Sequence, residues 1–373
     1  MRRHPKKRNL DESPDLIRWR CAFDFFVLRE PQEQICRRYE LSRPTVARHI
    51  QAARERFSFV PDFETAPNLT AQLEDEIANR FDLRRAVVAP IWSDDYSLTA
   101  KLLGHAASLV FTKLVERVSE DRTRPKVGIA GGETLFHMAD VLRPIGVELD
   151  LFPMVLGPHP DTELSAGAIA GIIARRMSVR GTCEVRAKPI AHFTTLLERA
   201  SGDSPPQAAH EVAVEFDTEA ADAAKNVDLA FVGIGSLFPT TTMARLIQVA
   251  SPHLTATLRR KVDLRTFEKH GLGCEILSQF LPPMRVDEGT PRWAKACELA
   301  RQFNSTVAGV SLDDLRVLAN SDAFVVAIAG GKQEKSDALR HALQLGSHEG
   351  ENESQYFNAL VTDAQTAEKL LDR

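Results

Sequence analysis

Residues 32–50 read "QEQICRRYELSRPTVARHI", four arginines set among a few well-spaced apolar residues. Two short helices and a tight connection account for the pattern. Pro31 suits the entry to the first, whose apolar face is Ile35, Cys36 and Tyr39. Glu40-Leu41 forms the connection. Ser42 is then a fitting N-cap, Pro44 falls in a first turn where its missing N–H does no harm, and Val46, Ile50 and Ala53 make the inward stripe of the second helix. Working outward, Leu16, Ile17, Trp19, Ala22, Phe23, Phe26 and Val27 recur at three and four, which predicts another helix over 16–28. Three short helices, the last two a few residues apart, are the helix-turn-helix arrangement.

At 100° per residue, a helix that buries Val46 and Ile50 turns Pro44, Arg48 and Gln51 outward, with Thr45 on the flank. Ser42, Arg43, Thr45, Arg48, His49 and Gln51 are the candidate DNA contacts, because a guanidinium fork, an amide and hydroxyls suit base edges and phosphates in a major groove. A solvated helix face carries the same residue types, so the helical pattern alone leaves both readings open. Charge adds to it. Residues 1–60 hold 14 Lys+Arg against 8 Asp+Glu, or +6, whereas the remainder holds 33 against 43, or −10. A basic head on an acidic body suggests that the head meets a polyanion. A charged tail would explain "MRRHPKKRN" at residues 1–9 equally well, but not the patterned residues beyond.

A chain of 373 residues suits one large α/β unit plus a small accessory module. With 43% hydrophobic and 26% charged residues and no run of eighteen apolar ones, a globular protein is expected rather than a membrane-spanning one. The basic N-terminus is followed by no apolar segment, so a cytoplasmic location is the expectation. Cysteines at 21, 36, 183, 274 and 297 show neither CxxC pairing nor zinc spacing and read as free, mostly buried thiols; no metal site is expected.

After "FSFVPDFETAPNLT", a helix is predicted over 73–81 and a strand over 86–90. Apolar, β-branched runs recur at 126–130, 149–156, 229–232, 323–329 and 359–362, followed by loops and helical segments such as 135–142, 338–343 and 364–371. Such alternation predicts a doubly wound, mainly parallel, Rossmann-like sheet. The expected organisation is a helix-turn-helix domain over 1–60 with a basic tail at 1–9, a linker at 61–70 and an α/β domain over 71–373.

Ligands in such sheets bind at the carboxyl ends of the strands. Three of those ends are glycine-rich. "VGIAGGET" places Gly131 and Gly132 between a strand and a helix, "FVGIGSL" places Gly233, Gly235 and Ser236 after another strand, and "AIAGGKQEK" places Gly330, Gly331, Lys332 and Lys335 after a third. Glycines let backbone N–H groups approach an anion, and lysine adds charge, so a phosphate or sugar phosphate is the natural guest. Tight βα turns also use glycine for geometry alone. None of the three is a G-x-G-x-x-G fingerprint or a P-loop, and no cofactor is expected.

The run "QEQICRRYELSRPTVARHIQAARERF" resembles the N-terminal helix-turn-helix of the SorC/DeoR-type sugar-binding transcriptional regulators, where "QEEIA...LGISRSTVSRLLKRARE" is usual; Glu40 stands where glycine is common. The body is similar to the effector domain of the same family from about residue 73 to the C-terminus. "VDLAFVGIGSL" looks like "ADVALVGIGS", "VVAIAGGKQEK" looks like "AVAGGxxK" and "LVTDAQTAEKLL" looks like "LVTDExTAxxLL". "GIAGGET" and "HGLGCEI" match "GVSWGTT" and "GAVGDI" more loosely. Ala130 replaces the loop serine, Glu133 a threonine, Glu275 an aspartate and Cys274 a glycine. The resemblance implies a regulator of carbohydrate metabolism that binds a duplex DNA operator, takes a sugar or sugar-phosphate effector and self-associates to a dimer or tetramer. It implies an effector site drawn from Gly131, Gly132, Glu133, Thr134, Gly235, Ser236, Glu275, Lys335 and Asp363. Glu133 would accept hydrogen bonds from sugar hydroxyls, while a carboxylate in an anion loop weakens the case for phosphate there. Asp363 also reads simply as the N-cap of the last helix.

The runner-up is a sugar-phosphate isomerase or deaminase-like enzyme carrying an accessory helical domain. Its acid/base pair would sit near a strand end, yet His137, His159, His192 and His270 show no spacing that suggests a dyad, so no catalytic residue is assigned. A pure interaction module would leave the glycine loops unexplained. The acidic tract "GSHEGENESQ" at 346–355 reads as a solvated linker.

Overall fold

The computed structural model describes residues 14–26, 30–56, 70–91, 93, 95–156, 162–178, 185–187, 191–196, 211–216, 218–237, 244, 247, 263–284, 286–305, 307–331, 333–346 and 355–371. The basic tail, the linker over 61–69, most of the acidic tract, His159, Cys183 and Lys332 lie outside them, as do the side chains of Leu16, Trp19, Phe23 and His192. The chain divides into two compact units, Met1–Asp62 and Phe63–Arg373.

In the first unit α1 (Pro14–Phe26), α2 (Gln32–Tyr39) and α3 (Arg43–Arg56) surround Cys21, Ile35, Val46 and Ile50; Ile35, Val46 and Ile50 belong to the stripes expected from spacing, whereas Cys21 stands outside the stripe expected of the first helix. Glu40 ends α2 in the left-handed region at φ 53°, ψ 36°, where its N–H donates to the Cys36 carbonyl. A β-carbon costs something there, which is why glycine is common at that position, but an isolated residue tolerates it. Buried Asp24 fastens α1 to α2: it accepts from Arg38 Nη1 and from the Tyr39 hydroxyl, each at 2.7 Å. Burial, reinforced by the Asp24 carboxylate, pushes the Tyr39 hydroxyl up to about 12.

The second unit contains helices α4 (Ala71–Arg80), α5 (Tyr96–Ser119), α6 (Glu133–Val141), α7 (Ala166–Met177), α8 (Thr218–Ala224), α9 (Leu264–Lys269), α10 (Pro291–Asn304), α11 (Leu312–Asn320), α12 (Gln333–Gly346) and α13 (Ala364–Leu370). Its strands are β1 (Arg85–Ala89), β2 (Lys126–Ile129), β3 (Leu149–Pro153), β4 (Val155–Leu156), β5 (Val185–Ala187), β6 (Ala191–Leu196), β7 (Glu211–Phe216), β8 (Leu229–Ser236), β9 (Cys274–Ile276), β10 (Gln279–Phe280), β11 (Ala308–Gly309), β12 (Phe324–Ile328) and β13 (Ala359–Asp363). The main sheet runs β1-β13-β12-β8-β2-β3-β5, all parallel, with a β9–β10 hairpin added antiparallel to the end of β8. From β2 the chain winds outward through β3 and β5; from β8 it winds the other way through β12 and β13. Those two strands are neighbours, so the winding direction reverses between them, where an open α/β sheet leaves a crevice.

Two expectations change in detail. The run 149–156 is not one strand: it breaks at Met154, whose carbonyl accepts from Val310 N–H at 2.9 Å, and β4 pairs antiparallel with β11 outside the main sheet. The segment "GIGS" is not a loop after β8 but its last four residues, because Ile234, Gly235 and Ser236 pair with Ile276, Glu275 and Cys274 of β9.

Helix α5 has the length and apolar composition that could cross a membrane, yet its Leu103, Ala107, Phe111, Leu114 and Val115 are fully buried in the α/β core. Phe111 meets Phe231 of β8 with ring centres 5.0 Å apart. Gly104 lets α6 lie close alongside, since a Cβ there would stand 2.6 Å from His137 Cβ.

Candidate functional site

On α3 of the first unit, Ser42, Arg43, Arg48 and Gln51 are exposed, while Thr45 and His49 are half-buried. The Ser42 hydroxyl accepts from the Thr45 N–H at 3.3 Å and lies 2.8 Å from the Thr45 hydroxyl, which in turn accepts from Arg48 Nη2 at 3.5 Å. This line of polar groups runs along the outward side of a helix whose other side is held by Val46 and Ile50, the geometry needed to present a guanidinium to a groove. Burial, with the nearby charges of Arg18 and Arg48, holds the His49 imidazole below its ordinary value.

In the second unit Gly131 and Gly132 follow β2 and Gly233 belongs to β8, side by side at the reversal point; a Cβ on Gly233 would sit 3.7 Å from the Gly131 carbonyl. Gly132 has φ 121°, ψ 161°, a conformation that glycine alone adopts readily, and it opens α6. Its N–H donates to the Leu164 carbonyl at 2.9 Å, while that of Ala130 donates to Phe231 at 3.0 Å. Two amides of this turn are therefore committed to the protein itself.

The glycines of the other two ends have steric reasons. A Cβ on Gly235 would collide with the carboxylate of Glu275, its partner across β8 and β9. A Cβ on Gly330 would collide with Asp363 Oδ2. Asp363 itself is buried and caps α13, accepting from the Thr366 N–H and hydroxyl, each at 2.8 Å; that hydroxyl also receives the Gly331 N–H at 3.3 Å. The capping reading of Asp363 is the one its geometry satisfies. Thr134 and Ser236 are buried as well.

Glu133 and Lys335, by contrast, come together through a residue that sequence reading had not singled out. Lys335 Nζ donates to the Tyr96 hydroxyl at 2.8 Å and lies 4.8 Å from the centre of that ring. The Tyr96 hydroxyl also acts on Glu133, and His137 Nε2 stands 3.9 Å from Glu133 Oε1, one helical turn along α6. His137, reinforced by the Lys335 charge and the Tyr96 hydroxyl, holds the Glu133 carboxyl below its ordinary value against the opposing effect of burial. Some 37% of the Glu133 side chain remains exposed, enough to meet a ligand. No dyad spacing had been expected among the histidines, but Glu133 and His137 form an i,i+4 pair. The sequence signal for Tyr96 is its place after β1, directly behind Asp95, which caps α5 by accepting from the Leu98 N–H.

Glu275 completes the group. Burial pushes its carboxyl up to about 7, opposed by the Ser278 N–H, which donates to Oε2 at 2.9 Å, and by the charge of Lys335. The same bond steadies the hairpin turn, where Leu277 and Ser278 both take positive φ, 53° and 58°, without being glycine. A carboxylate, an ammonium, a phenol, an imidazole and a second carboxyl raised by burial thus lie together near the carboxyl ends of the strands. Such a set can hold several hydroxyl groups by donating and accepting around them. Among the described residues no cluster of His, Cys, Asp and Glu fits a metal ion.

Comparison with known proteins concerns the fold as a whole. The full-length sorbitol operon regulator SorC from Klebsiella pneumoniae is similar in fold, with a TM-score of 0.53 at 18% identity over 97% of this chain and all of that one. A DeoR family transcriptional regulator from Listeria monocytogenes gives 0.52 at 19% identity over 81% of this chain and 99% of that one. A transcriptional regulator from Streptococcus pneumoniae TIGR4 gives 0.53 at 18% identity, covering 82% and 97%. No curated protein sequence matches. The family described as "Putative sugar-binding domain" matches residues 66–262, more than half of the chain, and spans β1, Glu133 and the reversal point between β2 and β8. The chain belongs to that sugar-binding domain family.

Proposed function

We propose that this protein is a cytoplasmic, DNA-binding transcriptional regulator whose operator affinity is set by a sugar or sugar-phosphate effector in the crevice between β2 and β8. The observation that carries the reading is the convergence of Glu133, Tyr96 and Lys335 at strand carboxyl ends, the first two within the sugar-binding family match, on a chain whose first unit presents Arg48 and Gln51 from a helix-turn-helix. The similarity in fold to the sorbitol operon regulator over nearly the whole length supports it. Residues 1–60 would contact duplex DNA, 61–70 link, and 71–373 bind effector. One small head offers little contact area, so the regulator would act as a homo-oligomer on repeated half-sites. A gel shift on the promoter adjacent to its own gene, with and without candidate sugars, tests the reading.

The second reading, a sugar-phosphate isomerase or deaminase-like enzyme, draws on the Glu133–His137 pair. A carboxylate held below its ordinary value is a weakened base, which favours the regulator. Turnover assays on common sugar phosphates separate the two.

A further inference from the structure

Resting on the sugar-effector reading, we propose that the crevice is built for an unphosphorylated polyhydroxylated ligand, a free sugar or polyol, with hydroxyls donating to Glu133 and accepting from Lys335.

A phosphate pocket at the end of a parallel strand needs free backbone N–H groups, a helix N-terminus and no competing anion. Here two of the loop amides are already bound and a carboxylate stands at the start of the helix. The N–H of Gly132 is bound to the Leu164 carbonyl and that of Gly331 to the Thr366 hydroxyl. The first residue of α6, where an incoming phosphate would lie, is Glu133, so the protein already places a carboxylate in that field. Ionised carboxylate and phosphate would repel each other across a few ångströms.

The lysine does not redress the balance. Lys335 already donates to the Tyr96 hydroxyl, and its charge acts on both Glu133 and Glu275, so the protein's own groups share it before any ligand arrives. What the crevice offers is acceptor oxygen at Glu133, donor N–H at Lys335 and a phenol between them. Adjacent hydroxyls of a sugar match that alternation of acceptor and donor, and a dianion does not. The Glu133 carboxyl is held below its ordinary value by His137, so it acts as an acceptor at neutral pH.

The test is calorimetry on the full-length protein with glucose, fructose, ribose, glucitol and xylitol, each beside its own terminal phosphate ester, and inorganic phosphate as the anion probe. The expected result is that at least one unphosphorylated compound binds, its phosphate ester binds about tenfold or more weakly, and inorganic phosphate does not compete. Glu133→Gln should cost the free sugar about tenfold while improving the ester. Tighter binding of an ester or of inorganic phosphate to the wild type overturns the inference and leaves the sugar-effector reading standing. Binding by neither class overturns both.

Discussion

Lys335 and Tyr96, 239 positions apart in sequence, meet at 2.8 Å between the ammonium and the phenol oxygen, and this contact ties the start of α12 to the start of α5. Lys335 and Tyr96 both act on Glu133 of α6, so residues following three different strands meet at one carboxylate.

Tyr96→Phe keeps the ring and the cation–π contact but removes the hydroxyl that accepts from Lys335 and acts on Glu133. Ligand affinity should fall by roughly 1–3 kcal/mol, the range for a hydrogen bond to a charged group, with little change in the thermal midpoint. Calorimetric titration against the wild type, with a melt of each protein, checks both halves; an unaltered affinity would place the ligand elsewhere.

Gly235→Ala should destabilise the α/β unit by about 1–3 kcal/mol, because the added methyl displaces the Glu275 carboxylate from its seat across β8 and β9. In a Glu275→Ala background the same substitution should cost much less. Denaturant unfolding of the four proteins in a double-mutant cycle measures that coupling, and additive losses would refute the steric account.

Glu275 also sets a pH dependence. Its carboxyl ionises near 4.5 when ordinary and at about 7 in the fold, so the folded state holds its proton more tightly than the unfolded chain. Its contribution is therefore fully present below the lower value and is lost as pH rises through the upper one. Between about pH 5 and about pH 8 the wild type should lose stability that Glu275→Gln retains, because glutamine can still accept from the Ser278 N–H. Thermal melts across that range read the difference directly; parallel curves would show that Glu275 ionises normally.

In the head, Asp24→Ala should lower stability by roughly 1–3 kcal/mol, since it strands the Arg38 and Tyr39 donors that join α1 to α2. The loss should appear in the melt of the full chain as an earlier or broader first transition. A coincident melt would mean that the buried carboxylate contributes nothing.

The parts of this fold that sequence reading captured are those governed by local periodicity. Val46 and Ile50 repeat at helical spacing and are buried, and the near-continuous apolar runs at 126–130, 323–329 and 359–362 correspond to β2, β12 and β13. Spacing could not show that Gly235 exists to seat Glu275, because that requirement is created by pairing with a strand some forty residues away. Nor could it show Tyr96, whose partners arrive from α6 and α12 only once the sheet has closed. The run at 149–156 looked like one strand because its apolar character is unbroken, and only the bond from Val310 to Met154 reveals where it turns away.

The most direct test of the regulator account is the affinity of the full-length protein for its own promoter DNA, measured by fluorescence anisotropy at fixed salt, with and without a saturating sugar found by calorimetry. The account predicts preference for that DNA over unrelated duplex, a loss of roughly 1–3 kcal/mol in Arg48→Ala, and a shift of about tenfold in either direction when the sugar is added. Equal affinity for unrelated DNA, untouched by Arg48→Ala and by the sugar, would contradict it.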